Sequence, residues 1–196
     1  MSREKLTRRS MQAKETRRKI LVAAVRLFAR QGYHKTTIAD LALAIGLTTG
    51  AVFHHFASKE DLLEAVVEWL ARGIKVYSDA TDSAEKPSIQ VVHDVIHIMC
   101  DHFRRNPEAT ICLAALATEF AGSDHPMENR LKEIYAVFVD SFARVLSACP
   151  WVSNPRGAAI AFVGSVQGIA IQGLLREGDN TIDELAEAFM TMMAPW

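Results

Sequence analysis

Residues 37–59 read TIADLALAIGLTTGAVFHHFASK, and this stretch predicts two short helices joined by a tight turn. The apolar residues of the first helix recur at three-and-four spacing, which places them on one face: Ile38, Leu41, Ala42 and Ile45. Thr37 is a favourable N-cap residue, and Asp40 lies where its carboxylate can complete a capping box. Gly46 ends the helix, since glycine adopts the left-handed backbone conformation that other residues resist.

The second helix of this stretch follows a cap at Thr48 or Thr49 and carries Val52, Phe53 and Phe56. Its first turn consists of small or hydroxylic residues, so it can approach a duplex closely, and its free N–H groups favour a phosphate. The spacing of the two helices predicts a helix-turn-helix, in which they cross at close range. The pattern leaves one alternative open, an ordinary surface helical hairpin with solvated histidines.

The longer run over residues 16–63 resembles the N-terminal domain of TetR-family transcriptional repressors. Three motifs carry the resemblance: Gly-aromatic-x-x-Thr-Thr at 32–37, Ala-x-x-x-Gly at 42–46, and Gly-x-x-aromatic-x-His-Phe-x-x-Lys-x-x-Leu at 50–62. The resemblance implies a dimeric DNA-binding repressor that a small molecule releases from its operator. It also implies a difference from the common family pattern, because Phe53 stands where a tyrosine hydroxyl often reaches a phosphate.

Nine residues of the two helices and their flanks are the candidate DNA contacts: Thr37, Thr48, Thr49, Gly50, Ala51, Phe53, His54, His55 and Lys59. The ammonium group of Lys59 suits a phosphate, whereas the methyl group of Ala51 can contact a thymine methyl. We expect a near-palindromic double-stranded operator, with one recognition helix in each half-site.

The net charge of −1 conceals a strong asymmetry along the chain. Residues 1–59 contain 12 Lys or Arg and 3 Asp or Glu, whereas residues 60–196 contain 10 Lys or Arg and 20 Asp or Glu. A basic segment that holds a helix-turn-helix indicates a polyanionic partner. Residues 1–14 are polar and predicted to be disordered, either as a solvated arm or as one that closes on a groove when DNA arrives.

Helical periodicity without period-two alternation predicts an all-α fold of about nine helices. We expect a three-helix DNA-binding domain over 1–59, with a basic arm over 1–15, and a larger helical effector-binding and dimerisation domain over 60–196. The first helix is predicted over 16–31 and a long linking helix over 58–79, followed by a loop over 81–88. The remaining helices are predicted at about 87–105, 107–121, 124–149, 155–177 and 181–193.

The segment 158–175 has no charged residue and contains Gly164 and Gly168 in a small-xxx-small arrangement. A membrane span is conceivable but disfavoured, because the segment is at the short limit and contains Ser165 and Gln167. A helix that packs closely against a partner is the preferred interpretation. We therefore predict a homodimer through helices 155–177 and 181–193, with an intrachain core helix as the alternative.

Large side chains in the second domain predict a cavity between its helices. The candidate lining residues are Trp69, His97, Cys100, Phe103, Leu116, Phe120, Phe138, Phe142, Phe162 and Gln167. His97, Cys100 and Gln167 are the candidates for polar contacts. Basic residues near the apolar faces are confined to helix ends, and burying an unpaired charge is costly, so we expect a neutral or weakly cationic, largely apolar effector.

Other chemistries find little support in the sequence. His93, His97 and Cys100 share a helix face at a spacing seen in metal sites, but no acidic residue completes the set, so we expect no metal. No motif of an activated nucleophile, a phosphate-binding loop or a dinucleotide site is present, so we expect neither an enzyme nor a cofactor. Scattered cysteines and a charged N-terminal segment without an apolar run predict a reduced, cytoplasmic protein.

Two other functions stay open on the sequence alone. A DNA-binding regulator or activator without an effector would share the first domain but need no cavity. A helical ligand-binding module that does not bind DNA would require the basic segment to be incidental, and the charge asymmetry argues against it.

Overall fold

The computed structural model describes residues 3–82, 89–176 and 181–193 of the chain. Within these ranges the backbone forms nine α-helices and no strand, which confirms the all-α prediction. The helices are α1 (Arg3–Gln31), α2 (Ile38–Ala44), α3 (Thr49–Phe53), α4 (Lys59–Asp82), α5 (Ile89–Arg105), α6 (Pro107–Phe120), α7 (Pro126–Leu146), α8 (Pro155–Leu175) and α9 (Ile182–Met193).

Helix α1 is longer than the sequence suggested. It begins at Arg3, so the prediction of disorder over residues 1–14 is wrong from residue 3 onward, and residues 1 and 2 lie outside the described ranges. Residues 3–15 contain neither Gly nor Pro and consist largely of residue types with high helix propensity. Because residues 10–15 are all exposed, local backbone bonds rather than packing stabilise this part of the helix.

The first domain is built around side chains that its short helices bury together. Phe28 of α1, Leu41 of α2, Val52 of α3 and Leu62 of α4 are almost completely buried. Burying each side chain contributes roughly 1.5–3 kcal/mol before ordering costs. Helices as short as α2 and α3 are not stable alone in water, so this shared core is what holds them.

Helix α4 belongs to both parts of the chain. It begins at Lys59, shortly after α3, and continues without a break to Asp82. It packs against α1 as well as against α5 and α7. The predicted domain boundary after residue 59 therefore falls in the first turn of a continuous helix. Most of the predicted loop, residues 83–88, lies outside the described ranges.

The second domain has an aromatic core between α7, α8 and α9. The ring of Phe142 lies between those of Phe138 and Phe162, at centroid distances of 5.1 Å and 4.4 Å, and Phe162 also contacts Phe189. Such contacts add specific geometry to the burial of large apolar surfaces. This row of rings connects α7, α8 and α9 beside the cavity that is described below.

Helix α6 packs along α1 and so joins the two domains a second time. The carboxylate of Glu108 lies 3.9 Å from Arg26 and 3.8 Å from Arg30. The α1 side chains of these pairs are well exposed, so each pair contributes little to stability.

Helix α8 covers the uncharged segment 158–175. Gly157 lies close to its own chain, because a Cβ there would be 2.5 Å from the Asn154 side chain, whereas at Gly173 a Cβ would make an ordinary contact of 3.5 Å with Ile182. Gly164 and Gly168, by contrast, have open space where a Cβ would be. In the part of the chain that the structure describes, no helix is long and apolar enough to cross a membrane.

Candidate DNA-binding surface and ligand cavity

Side-chain caps fix the helices of the helix-turn-helix. Thr37 Oγ1 accepts a hydrogen bond from Asp40 N at 3.1 Å, and the Asp40 carboxylate accepts one from Thr37 N at 2.8 Å, which is the predicted capping box. Thr48 rather than Thr49 caps α3, because Thr48 Oγ1 accepts from Ala51 N at 3.1 Å. Gly46 adopts φ of 66° in the turn, the conformation that glycine tolerates best.

None of the nine candidate DNA contacts is buried. Six are exposed, namely Thr37, Thr48, Thr49, Gly50, Phe53 and His54. Ala51, His55 and Lys59 are partly buried. The nine residues thus lie at the N-cap of α2, along α3 and its flanking turns, and at the start of α4. The ring of Phe53 is 49% exposed, which is unusual for a phenylalanine and leaves an apolar contact rather than a hydroxyl at this place.

Lys59 is held by the turn that follows α1. Its Nζ donates a hydrogen bond to the carbonyl oxygen of His34 at 3.3 Å and lies 4.2 Å from the centroid of the Tyr33 ring. Partial burial lowers the pKa of Lys59 from its usual value. The ammonium group therefore has a defined position beside Tyr33 and His34 instead of a freely rotating one.

The two histidines that follow α3 contact each other. The rings of His54 and His55 lie edge to face at a centroid distance of 5.4 Å. Burial, together with the nearby His54 and Arg17, lowers the pKa of His55. At neutral pH His55 is therefore an uncharged hydrogen-bonding group rather than a cation.

A cavity of about 290 Å³ lies in the second domain between α4, α5, α6, α7, α8 and α9. Five of the ten predicted lining residues border it: Trp69, Cys100, Phe103, Phe138 and Gln167. The lining is mainly apolar, with aromatic rings on several sides. A site of this size with a few polar groups is typical of small-molecule binding.

The structure places the other five predicted residues elsewhere. His97 is exposed, because it lies beside the buried stripe of α5 and not within it. Leu116, Phe120, Phe142 and Phe162 are buried but do not line the cavity. Phe120 instead lies under the first domain, against the rings of Tyr33 and His34. These five are not among the ligand contacts proposed below.

Four uncharged polar residues outside the predicted set line the cavity: Tyr77, His102, Thr110 and Tyr135. The ring of His102 packs against Tyr77 and over Gly73, where a Cβ would lie 3.3 Å from His102 Cε1. Burial lowers the pKa of His102 and raises that of Tyr77. His102 is therefore neutral at neutral pH. His102 lies three residues after buried Met99 on α5, and this spacing was the signal that could have placed it on the inner face of the helix.

Charged groups are scarce around this cavity. Arg72 is its only charged lining residue among those described, and its exposed side chain pairs with Glu68 at 2.9 Å. No carboxylate of the described residues borders the space. Within the same part of the chain, no three His, Cys, Asp or Glu side chains are grouped so as to hold a metal ion.

Helix α8 exposes an uncharged stripe that runs along one face: Ile160, Ala161, Gly164, Gly168, Ile171, Gln172 and Leu175. Ile160 is 56% exposed and Leu175 is 72% exposed. On α9, Ala188 and Met192 are also exposed. A contiguous apolar surface with small residues at its centre is typical of a helix–helix interface between proteins.

A helix-turn-helix on a basic domain, joined by one continuous helix to a larger helical domain with a cavity, defines a two-domain DNA-binding regulator. Residues 20–66 match the family model described as bacterial regulatory proteins, tetR family. The N-terminal part of the chain is therefore a DNA-binding domain of the tetR type, and the chain as a whole is similar to TetR-family transcriptional regulators in fold.

Comparisons with individual proteins agree with this assignment. The chain is 28% identical over 112 residues to the nucleoid occlusion factor SlmA of Haemophilus ducreyi, covering 57% of this chain and 55% of that protein. It is 38% identical over 81 residues to the transcriptional repressor KstR2 of Mycobacterium tuberculosis, covering 39% of this chain and 38% of the repressor. The chain thus spans about half or less of the length of these curated relatives.

A solved structure extends the likeness to the whole fold. The structure described as the ketosteroid transcriptional regulator KstR2 of Mycobacterium tuberculosis aligns with a TM-score of 0.70. The alignment covers 90% of this chain and 92% of that chain at 19% sequence identity. At this identity the likeness concerns the fold, including the helical second domain.

Proposed function

We propose that the protein is a dimeric transcriptional repressor that a small, neutral, largely apolar molecule releases from its operator. The observation that carries the proposal is the combination of a DNA-binding surface with a cavity. The capped and exposed recognition helix α3 lies on a basic domain, and α4 connects this domain to a second domain that contains the cavity. The match of residues 20–66 to the tetR family model supports the DNA-binding part, and the cavity supports the effector.

In this proposal α3 enters the major groove of each half-site. Thr49 and Gly50, in the exposed first turn, approach the base edges, while Lys59 contacts a phosphate. Thr37, Thr48, His54 and His55 supply further polar contacts at the edges of the same surface. Ala51 and Phe53 supply apolar ones. The two-fold symmetry of a dimer would make the operator near-palindromic.

The dimer would form through α8 and α9. The exposed stripe on α8 has no charge, and Gly164 and Gly168 allow a second backbone to approach closely. Leaving Leu175 and Met192 in water would be unfavourable, and burying them against a second copy removes that cost. A symmetric pair of such faces is the usual arrangement of homodimers.

The effector is expected to be neutral because of the cavity's lining. A cation would find no carboxylate there among the described residues, and an anion would find only the exposed and already paired Arg72. Burying an unpaired charge is too costly for tight binding. A polycyclic hydrophobe with one or two polar groups, of the ketosteroid kind named for KstR2, satisfies these requirements.

Selection of bound duplexes from a random pool tests the proposal. We expect enrichment of a two-fold-symmetric site, binding of two chains to it, and release by a compound from a panel of neutral hydrophobes. Failure to enrich any site, or binding that is independent of salt, would contradict DNA recognition. An effector affects affinity only through different affinities for the two conformations of the protein.

A DNA-binding protein without an effector is the second candidate function. It is favoured by the similarity to SlmA, which is named a nucleoid occlusion factor. The two candidates differ in the role of the cavity. Under the second, a hydrophobe that occupies the cavity leaves affinity for the selected duplex unchanged.

A further inference from the structure

The turn that follows α1 is held by a carboxylate from the other domain. Glu119, in the last turn of α6, accepts hydrogen bonds from the backbone nitrogens of Tyr33 and His34, each at 2.7 Å. The two bonds use different carboxylate oxygens, so both oxygens are engaged. The preceding Gly32 has φ of 82°, and a Cβ there would lie 3.1 Å from Glu119. A side chain at position 32 would therefore crowd the Glu119 carboxylate.

The same two residues hold Lys59 from their other side. The carbonyl oxygen of His34 accepts the hydrogen bond of Lys59 Nζ at 3.3 Å, and the Tyr33 ring lies under the ammonium group at 4.2 Å. Glu119 thus binds the backbone amides of Tyr33 and His34. The ring of Tyr33 and the carbonyl oxygen of His34 in turn hold Lys59. A continuous set of contacts therefore leads from α6 of the second domain to the edge of the recognition surface.

We infer that Glu119 is a positioning residue for DNA binding, acting through the Tyr33–His34 turn on the phosphate contact of Lys59. This inference rests on the DNA-binding function proposed above. Glu119 itself does not face the duplex in this arrangement, since its carboxylate points into the turn. Its contribution is to hold Lys59 in the geometry that binds a phosphate, so that less ordering is needed when DNA arrives.

Whether loss of the Glu119 charge weakens or tightens DNA binding distinguishes a positioning role from a general electrostatic one. Removing a negative charge from a DNA-binding protein tightens its binding by reducing long-range repulsion. Loss of the positioning bonds weakens binding instead. In glutamine an NH2 group replaces one of the two carboxylate oxygens, and this donor cannot accept the backbone N–H group that the lost oxygen accepts here. E119Q is therefore expected to bind the selected duplex roughly tenfold more weakly, as the loss of one charge-assisted hydrogen bond implies.

Glu108 provides the matched control. It lies on the same helix and faces the same helix α1, but it pairs with Arg26 and Arg30 and does not touch the turn. E108Q removes the same charge from the same interface. We expect its affinity to be unchanged or slightly higher. Circular dichroism and light scattering on both variants show that fold and assembly are retained. Should E119Q not fold, E119D takes its place, because it keeps both oxygens but withdraws them by one methylene.

A double-mutant cycle with K59A decides whether Glu119 acts through Lys59. If it does, E119Q has less than about a twofold effect once Lys59 is absent, and the two changes are strongly non-additive. Additive losses, or equal affinities of E119Q and E108Q, would overturn the inference. Absence of specific binding by the wild-type protein is a different result, because it would refute the proposed function itself.

Discussion

Gln167 Nε2 donates a hydrogen bond to Tyr135 Oη across the contact of α7 with α8, and both side chains line the cavity. Burial raises the pKa of the Tyr135 hydroxyl, so this group is neutral and hydrogen-bonded at neutral pH. The polar wall of the cavity is thus already ordered before a ligand arrives. A preorganised pair of this kind offers a ligand's polar group a fixed orientation at little entropic cost.

Phe138→Trp should block effector binding while leaving DNA binding intact. Phe138 lines the cavity and packs against Tyr77 and Phe142, so a larger ring has to project into the empty space. Overpacking of this kind costs about 1–3 kcal/mol of stability. Binding of a neutral apolar fluorophore, N-phenyl-1-naphthylamine, measures cavity access, and affinity for the selected duplex is the control. Undiminished fluorophore binding would mean that the probe occupies another place.

Lys59→Ala should weaken binding to all duplex sequences alike. Loss of one phosphate contact lowers the slope of log affinity against log salt by about one unit. Lys132→Ala is the matched control, because Lys132 lies in the second domain and pairs with Glu128 at 2.7 Å. It changes the net charge equally but should leave the slope unchanged. Equal slopes for the wild type and Lys59→Ala would remove Lys59 from the phosphate contacts.

Thr49→Ala should alter preference among operator variants, whereas Thr48→Ala should lower affinity for all of them. Thr48 caps α3 through its bond with Ala51 N, and loss of such a cap costs about 1 kcal/mol. The side chain of Thr49 is exposed and forms no cap, so it is free to contact a base. Affinities across a panel of single-base operator variants distinguish the two. Parallel losses for both variants would contradict base contact by Thr49.

Gly168→Arg should yield a monomer. A Cβ at Gly168 meets no described atom of its own chain within 4 Å, so the protomer can accommodate the change. An interface in which two backbones meet at this glycine cannot accommodate a buried, unpaired guanidinium. Gln90→Arg adds the same side chain at an exposed position of α5 and should remain dimeric. Light scattering measures both, and a dimeric Gly168→Arg would place the interface elsewhere.

Acidification should destabilise the protein partly through His102. Burial lowers the pKa of folded His102 below the usual value of 6.5, so the unfolded chain binds this proton more readily. The contribution to stability is complete above pH 6.5 and is lost as the pH falls from there through the lowered pKa. Denaturation midpoints at about pH 7.5 and about pH 5.5 measure the loss. His102→Gln should reduce it, whereas His97→Gln, at an exposed position, should not.

Periodicity and capping chemistry were sufficient to predict the helix-turn-helix. Thr37, Asp40 and Gly46 are local signals, because a cap or a left-handed turn depends on residues a few positions apart. The extension of α1 was missed for the opposite reason. A polar segment with no apolar face resembles a disordered one, although its helix propensity is high and it continues a helix that is already nucleated by packing.

The cavity was predicted only in part because its lining depends on which helix faces which. Periodicity places Cys100 and Phe103 on an apolar stripe of α5, but it does not tell whether His97 or His102 turns toward the space. That choice is fixed by contacts with α4, where Gly73 leaves room for the ring of His102. Likewise, nothing in the sequence links Glu119 to Tyr33, which lies 86 residues away.

The bonds of Glu119 with the Tyr33–His34 turn limit how freely the first domain can be exchanged between regulators. A hybrid that joins residues 1–59 to a second domain with no carboxylate at this place would keep the recognition helix but lose the two bonds that hold its turn. Restoring a glutamate at the position that corresponds to Glu119 should then improve operator binding by the hybrid. In design terms, the transferable unit is the first domain together with the last turn of α6.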